Sequence, residues 1–183
     1  MSAEKSQSPQ IENIVASGSI ADSIDLVMIS ATMKNCDLNK KRFPGAVLRL
    51  QNPKITVLIF SSGKVVITGV KSPEDFVRGL DNLIQKMKEV GVICHDIPDV
   101  AVTNIVCSYD IGKYINLNKV VITLNLEKIE YEPEQFPGLV YRISDPKVVA
   151  LLFSSGKIIL TGGKTMEDVK RGVAFLTQKL GNF

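Results

Sequence analysis

FPGAVLRLQNPKITVLIFSSGKVVITG, residues Phe43 to Gly69, returns later in the chain as FPGLVYRISDPKVVALLFSSGKIILTG, residues Phe136 to Gly162. Aligned without gaps, 15 of the 27 positions are identical. Each copy holds two phenylalanines at the same spacing (60 − 43 = 17 and 153 − 136 = 17), an FSSGK segment and a closing Thr-Gly. A solenoid needs three or more stacked units, so a repeat present only twice points to one pseudo-symmetric domain made of two related halves. The likeness reaches further back. Asn13-Ile14-Val15 recurs as Asn104-Ile105-Val106, an offset of 104 − 13 = 91 against 136 − 43 = 93, so the second half carries two extra residues before its FPG.

These offsets divide the chain into a tail (1–10), a first repeat (11–91), a joining segment (92–99) and a second repeat (100–183). With 183 residues, 45% hydrophobic and 22% charged, the composition is that of a globular protein able to bury a substantial core. No apolar run approaches the roughly 18 residues that span a bilayer. MSAEKSQSPQ has no apolar h-region and reads as a short disordered tail, not a signal peptide, so an intracellular protein is expected. Three cysteines (Cys36, Cys94, Cys107) form no CxxC and leave an odd count, in keeping with a reducing compartment. A net charge of +3 does not by itself point to nucleic acid; the placement of the cations matters more.

Each half reads as strand, helix, several strands, long helix. Opening strands are expected over Ile11–Ser17 and Val102–Ser108, and first helices over Ala21–Thr32 and Asn116–Leu126. Further strands are expected over Ala46–Leu50, Ile55–Phe60 and Lys64–Lys71, matched by Leu139–Ile143, Val148–Phe153 and Lys157–Lys164. Pro53 and Pro146 fall between strands, where a missing N–H costs little. Ser61-Ser62-Gly63 and Ser154-Ser155-Gly156 are hairpin-length loops. Ser72-Pro73 with Asp75, and Thr165 with Asp168, signal the starts of the closing helices. The apolar stripes of those helices are Phe76, Leu80, Leu83, Ile84 and Met87, then Val169, Val173, Leu176 and Leu180.

Side chains alternate between the faces of a strand. If Val65 and Ile67 pack under the helices, Val66 and Thr68 face away. The same logic turns Ile14 and Ala16 inward and Asn13 and Val15 outward. A helix-free face would then carry Val15, Val66, Val106 and Ile159, with phenylalanines at its edges. An apolar face of that size marks either a binding surface or a face covered by a second layer or a dimer partner.

Asn-Ile-Val, RFPG/QFPG, LIFSSGK/LLFSSGK and TGVK/TGGK, repeated twice in direct order, resemble the TATA-box-binding protein family, over nearly the whole chain from about Ile11 onward. The wording, PEQFPGLVYR above all, is closer to archaeal members than to eukaryotic ones. The resemblance implies an α+β fold: two pseudo-symmetric direct repeats forming a saddle-shaped ten-stranded antiparallel sheet, with four helices on its convex face. It implies a general transcription factor that binds the minor groove of a TATA element in promoter DNA and recruits transcription factor B and, indirectly, RNA polymerase. Such a protein would work in the cytoplasm at the nucleoid if archaeal, or in the nucleus if eukaryotic.

Position by position, Phe43 with Phe60 and Phe136 with Phe153 match the family's wedge pairs, flanked by Pro44 and Pro137. Leu58, Val66, Leu151 and Ile159, with Val15 and Val106, match apolar residues against the base edges. Asn13, Asn104, Thr68 and Thr161 match polar residues at the centre of the site. Arg49, Lys64, Arg142 and Lys157 match cations near phosphates, joined by Ser62, Ser155, Lys71 and Lys164. Glu132 and Glu134 match the loop that meets transcription factor B. The first repeat departs from the family in reading Asp37-Leu38-Asn39-Lys40-Lys41-Arg42 where the second has Glu130-Tyr131-Glu132-Pro133-Glu134-Gln135.

No catalytic set emerges, and no cofactor or metal is expected. A Walker A loop needs Gly where Leu58 stands and Ser or Thr where Val65 stands. His95 beside Cys94 is a lone histidine in the joining segment, short of the several convergent ligands a metal needs. Glu74-Asp75 and Glu167-Asp168 sit where helix N-termini favour negative charge. The rival reading is a module of the same fold serving as accessory domain of a nucleic-acid-processing enzyme.

Overall fold

The computed structural model describes residues 9–124 and 128–181. Expectations for the tail up to residue 8, and for the end of the first helix of the second repeat at Leu126, lie outside the described residues. The first half comprises β1 (Gln10–Ala21), α1 (Leu26–Thr32), β2 (Cys36–Leu38), β3 (Ala46–Gln51), β4 (Lys54–Ile59), β5 (Lys64–Val70) and α2 (Pro73–Glu89). The second comprises β6 (Cys94–Asp110), α3 (Leu117–Thr123), β7 (Ile129–Glu130), β8 (Leu139–Ile143), β9 (Val148–Leu152), β10 (Lys157–Gly163) and α4 (Met166–Leu180). The ten strands form an open antiparallel sheet in the order β2-β3-β4-β5-β1-β6-β10-β9-β8-β7, in which the second half repeats the first. Two compact units divide the chain: Asn13–Thr103, and residues 104–181 with 9–12.

Within each unit the long helix buries one stripe against the strands. Leu83 and Met87 of α2 are fully buried with Ile55, Val57, Ile59, Val65 and Ile67. In the other unit Val169, Leu176 and Leu180 of α4 are buried with Val148, Ala150, Leu152, Ile158 and Leu160. Phe76, Leu80, Ile84 and Val173, expected in the same stripes, are only half-buried because they lie on the flanks of the contact. Both helix starts form as read. The Ser72 hydroxyl accepts from the Asp75 amide at 3.1 Å, and the Thr165 hydroxyl from the Asp168 amide at 3.1 Å.

Four local differences from the sequence expectation have physical causes. Helix α1 begins at Leu26, not Ala21, because Asp25 caps it, accepting from the Met28 amide at 3.1 Å. The residues before it are bound to the FSSGK turn instead, through Ile20 N–H to Gly63 O at 3.0 Å and Ile24 N–H to Ser61 O at 2.9 Å. Helix α3 starts at Leu117 under the Asn116 cap. Strand β6 begins at Cys94, so most of the expected joining segment is extended sheet. Finally, β2 and β7 span three and two residues, too short for any alternation to show in sequence.

Leu83 and Leu176 are each 0% exposed, at the centres of their helix–strand contacts. Leu83→Ala and Leu176→Ala should each cost about 2–5 kcal/mol, read as a fall in the midpoint of denaturant unfolding.

Candidate nucleic-acid interface

Strand alternation decides which side chains each unit leaves uncovered. In the first unit Leu58 stands opposite Val66 and Val47 opposite Leu58, while Ser17 pairs with Val66. This makes a row Val47–Leu58–Val66–Ser17 across four strands. A second row runs Arg49–Thr56–Thr68. All of these except exposed Arg49 are half-buried, while their neighbours along the strands, Gly18 and Gly69 apart, are buried. Val15 lies on the same face, at an irregularity in the β1–β5 pairing between Ile14 and Ala16. Ile14 and Ala16 are buried and Asn13 and Val15 are not, as alternation requires.

The second unit repeats the layout by itself. Its rows are Val140–Leu151–Ile159–Ser108 and Arg142–Val149–Thr161, with Val106 half-buried at the corresponding break in the β10–β6 register. The Ser108 hydroxyl donates to Glu12 Oε1 at 2.5 Å, which sets a carboxylate at the end of the first row. Val47, Thr56, Val140 and Val149 join this face without having been singled out from sequence. Their signal was present, since each stands two residues from a residue that alternation or resemblance places there.

At the edge of each face stands a phenylalanine pair, edge to face. Phe43 and Phe60 have ring centroids 5.5 Å apart, and Phe136 and Phe153 5.9 Å. Phe136 is 41% exposed, unusually so for so large an apolar side chain. The FPG glycine makes the pairing possible. A Cβ on Gly45 would come 2.8 Å from Phe43 Cε1 and 2.6 Å from Ile59 O, and one on Gly138 would come 2.7 Å from Phe136 Cε1. Pro44 and Pro137 are exposed beside them.

FSSGK is a five-residue hairpin turn closed by Phe60 N–H to Lys64 O at 2.9 Å and Gly63 N–H to Phe60 O at 3.0 Å. The copy at Phe153 and Lys157 has the same bonds at 3.0 Å. Gly63 at φ +88° and Gly156 at φ +95° occupy the left-handed region the turn demands. The turn leaves Lys64 and Lys157 exposed at the strand starts. Ser62 and Ser155 accept from the Lys64 and Lys157 amides, each at 3.4 Å.

The central polar residues are locked in one orientation. Asn13 Oδ1 accepts from the Gly69 amide at 2.7 Å, and its Nδ2 donates to Thr68 Oγ1 at 3.1 Å. Asn104 repeats this with Gly162 at 2.7 Å and Thr161 at 3.2 Å. A backbone N–H needs an acceptor, so it settles which amide atom is oxygen. The NH2 group is therefore the donor, with one of its two hydrogens given to Thr68 or Thr161, which stand in the rows of the open face.

Arg49 and Arg142 are not free cations. Arg49 pairs with Asp37 at 3.2 Å and Arg142 with Glu130 at 3.3 Å, each acid standing on the short edge strand. All four groups are more than half exposed, so such pairs are weak and exchangeable. Lys71 and Lys164 are exposed past the ends of β5 and β10, and Glu132 and Glu134 are exposed in the loop before Phe136. His95, in β6, sets its Nε2 2.9 Å from Asp22 Oδ1. Among the described residues no group of three or more His, Cys, Asp or Glu could hold a metal. Burial pushes the Cys107 thiol up to about 11, against a weaker lowering by a backbone hydrogen bond at Leu160.

A family model described as "Transcription factor TFIID (or TATA-binding protein, TBP)" matches residues 8–90 and 99–183, one match per repeat. The chain belongs to the TATA-box-binding protein family. It is 50% identical over 171 residues to the TATA-box-binding protein of Archaeoglobus fulgidus, covering 93% of each chain. With TATA-box-binding protein 1 of Methanosarcina acetivorans it shares 49% over 173 residues, covering 94% of each. Its structure is similar to that of Methanococcus jannaschii TBP, with a TM-score of 0.86 and 40% identity over 96% of this chain and 99% of that one. Membership of this family makes the chain a general transcription factor of archaeal type, and not an enzyme.

Two outcomes test the geometry without any ligand. Asn13→Ala or Asn104→Ala strands a glycine amide and should lower unfolding free energy by about 1–3 kcal/mol. Cys107 should stay unlabelled by thiol-alkylating reagents at pH 8 in the native protein, because the thiolate is the reactive form and its thiol is protonated there; it should label on denaturation.

Proposed function

We propose that this protein binds the minor groove of a TATA element, kinks promoter DNA with its two phenylalanine pairs, and recruits transcription factor B and RNA polymerase to start transcription inside the cell. One observation carries the reading. Each repeat presents the same uncovered apolar face, edged by a paired phenylalanine and holding an asparagine whose oxygen is fixed on a glycine amide, which leaves its NH2 as the donor.

The chemistry fits A·T pairs. Their minor groove shows only the adenine N3 and thymine O2 acceptors, whereas G·C adds a guanine amino donor. Leu58, Val66, Leu151 and Ile159 can neither satisfy nor easily accommodate that amino group. Asn13 and Asn104 supply donors to the acceptors, with Thr68 and Thr161 beside them. Apolar wedges that part a base step cost roughly a few kcal/mol per step, offset by wider contact with the bent duplex. TATA-type steps deform cheaply, so part of the selectivity comes from DNA stiffness. Lys64 and Lys157, with Arg49 and Arg142 exchanging their carboxylate partners for phosphates, hold the backbone and carry little sequence information. Glu132 and Glu134, exposed and acidic, suit a basic surface of transcription factor B and give that partner one preferred orientation.

A bandshift titration on TATA and GC-substituted duplexes tests the core of this reading; equal affinity for both would overturn it. Asn13→Asp keeps an acceptor for the Gly69 amide but removes the donor, so TATA affinity should fall by about 1–3 kcal/mol while the fold persists. Phe60→Ala with Phe153→Ala should reduce the bend measured by end-to-end fluorescence transfer on a TATA duplex. Glu132→Lys with Glu134→Lys should leave TATA binding intact and abolish the ternary complex with transcription factor B.

A further inference from the structure

The loop leading into Phe43 has the same backbone as the loop leading into Phe136, and opposite charge. In each, the phenylalanine amide donates at 3.0 Å to the carbonyl four residues back, on Asn39 and on Glu132. The residue before it donates to the same carbonyl, Arg42 at 3.0 Å and Gln135 at 2.9 Å. The difference therefore lies in side chains: Asn39-Lys40-Lys41-Arg42 against Glu132-Pro133-Glu134-Gln135. Lys40, Lys41 and Arg42 are all exposed, and among the described residues none of them forms an ion pair. Two acids near the loop are engaged elsewhere. Asp37 holds Arg49 at 3.2 Å, and Asp25, which lines the same small cleft as Lys40, caps α1. The loop is also held in shape, since the Lys41 amide donates to Asn39 Oδ1 at 3.2 Å.

Three consecutive cations thus stand without internal partners directly before Phe43, whose ring lies 5.5 Å from Phe60 at the head of the turn that presents Lys64. We infer that Lys40, Lys41 and Arg42 form a clamp on the DNA backbone just outside the base step where Phe43 and Phe60 act, an anchor the acidic loop of the second repeat lacks. The inference rests on the minor-groove reading above. Duplex DNA carries one negative charge per about 1.7 Å of axis, so a short run of cations meets several phosphates. Continuity with the Phe43 edge and with Lys64 favours DNA over an acidic protein as the occupant. Glu132 and Glu134 repel phosphate, so the backbone hold is lopsided: the first repeat grips flanking DNA and the second does not.

The test uses the full chain carrying K40Q, K41Q and R42Q, with its thermal melt confirmed equal to wild type. On a TATA duplex with long flanks, the slope of log Kobs against log salt should become shallower by about 0.9 for each phosphate that is no longer neutralised. Each such phosphate changes the affinity ratio between 50 and 200 mM salt by about 3.5-fold. Phosphate-ethylation interference should disappear on one flank only. On a duplex ending at the outer kinked step, variant and wild type should share one slope. Equal slopes on long flanks, with TATA selectivity retained, overturn the clamp and leave the loop to an acidic protein partner. Loss of TATA selectivity in the wild type is a different result; it overturns the minor-groove reading and the clamp with it.

Discussion

The helices of each unit bury one face of the strands and leave the other bare. Alternation along β4, β5, β9 and β10 sends every second side chain under α2 or α4, where it is nearly inaccessible. Between them, beside lysines and threonines, stand Leu58, Val66, Val149, Leu151 and Ile159, apolar side chains that are costly to leave wet. Leu58, Val66, Leu151 and Ile159 stay half-buried on the face the helices do not cover. The uncovered face is therefore what each unit holds out, backed by the side chains buried against α2 and α4.

Rigidity reaches the polar centre through one backbone bond in each repeat. The amides of Gly69 and Gly162 need acceptors, and Asn13 and Asn104 supply them at 2.7 Å. That bond ties the side chain to the sheet, because the acceptor that satisfies the glycine amide also fixes which amide atom is the donor. Under the proposed minor-groove reading stability and specificity share a residue, and substitutions that separate the acceptor from the donor are the informative ones.

Duplication supplies an internal comparison. Phenylalanine pairs, turns and asparagine bonds agree between repeats to within a few tenths of an ångström. Against that constancy, the charge reversal between the Lys40–Arg42 and Glu132–Glu134 loops stands out, because the backbone beneath it is unchanged. Symmetric parts suit a near-palindromic groove, and asymmetric parts suit whatever distinguishes one end from the other.

Much of this was legible from residues alone. The direct repeat, the strands around FSSGK, the capped closing helices and the facing of Val15, Val66, Thr68 and Asn13 all follow from short-range pattern, since strand alternation and helix caps are local physics. Other features needed the folded chain. β2 and β7 carry too few residues to show a period, and β6 begins at Cys94 and so takes in most of the segment read as a joiner. α1 lost its first turn because Ile20 and Ile24 bond to the FSSGK hairpin some forty residues away. The ion pairs of Arg49 and Arg142, and the asparagine locks on Gly69 and Gly162, join residues 12 to 58 positions apart. Sequence by itself determined which side chains the protein carries to its open face. Tertiary structure alone decided how they are held there, because hydrogen bonds between distant strands exist only once register and turn have brought the partners together.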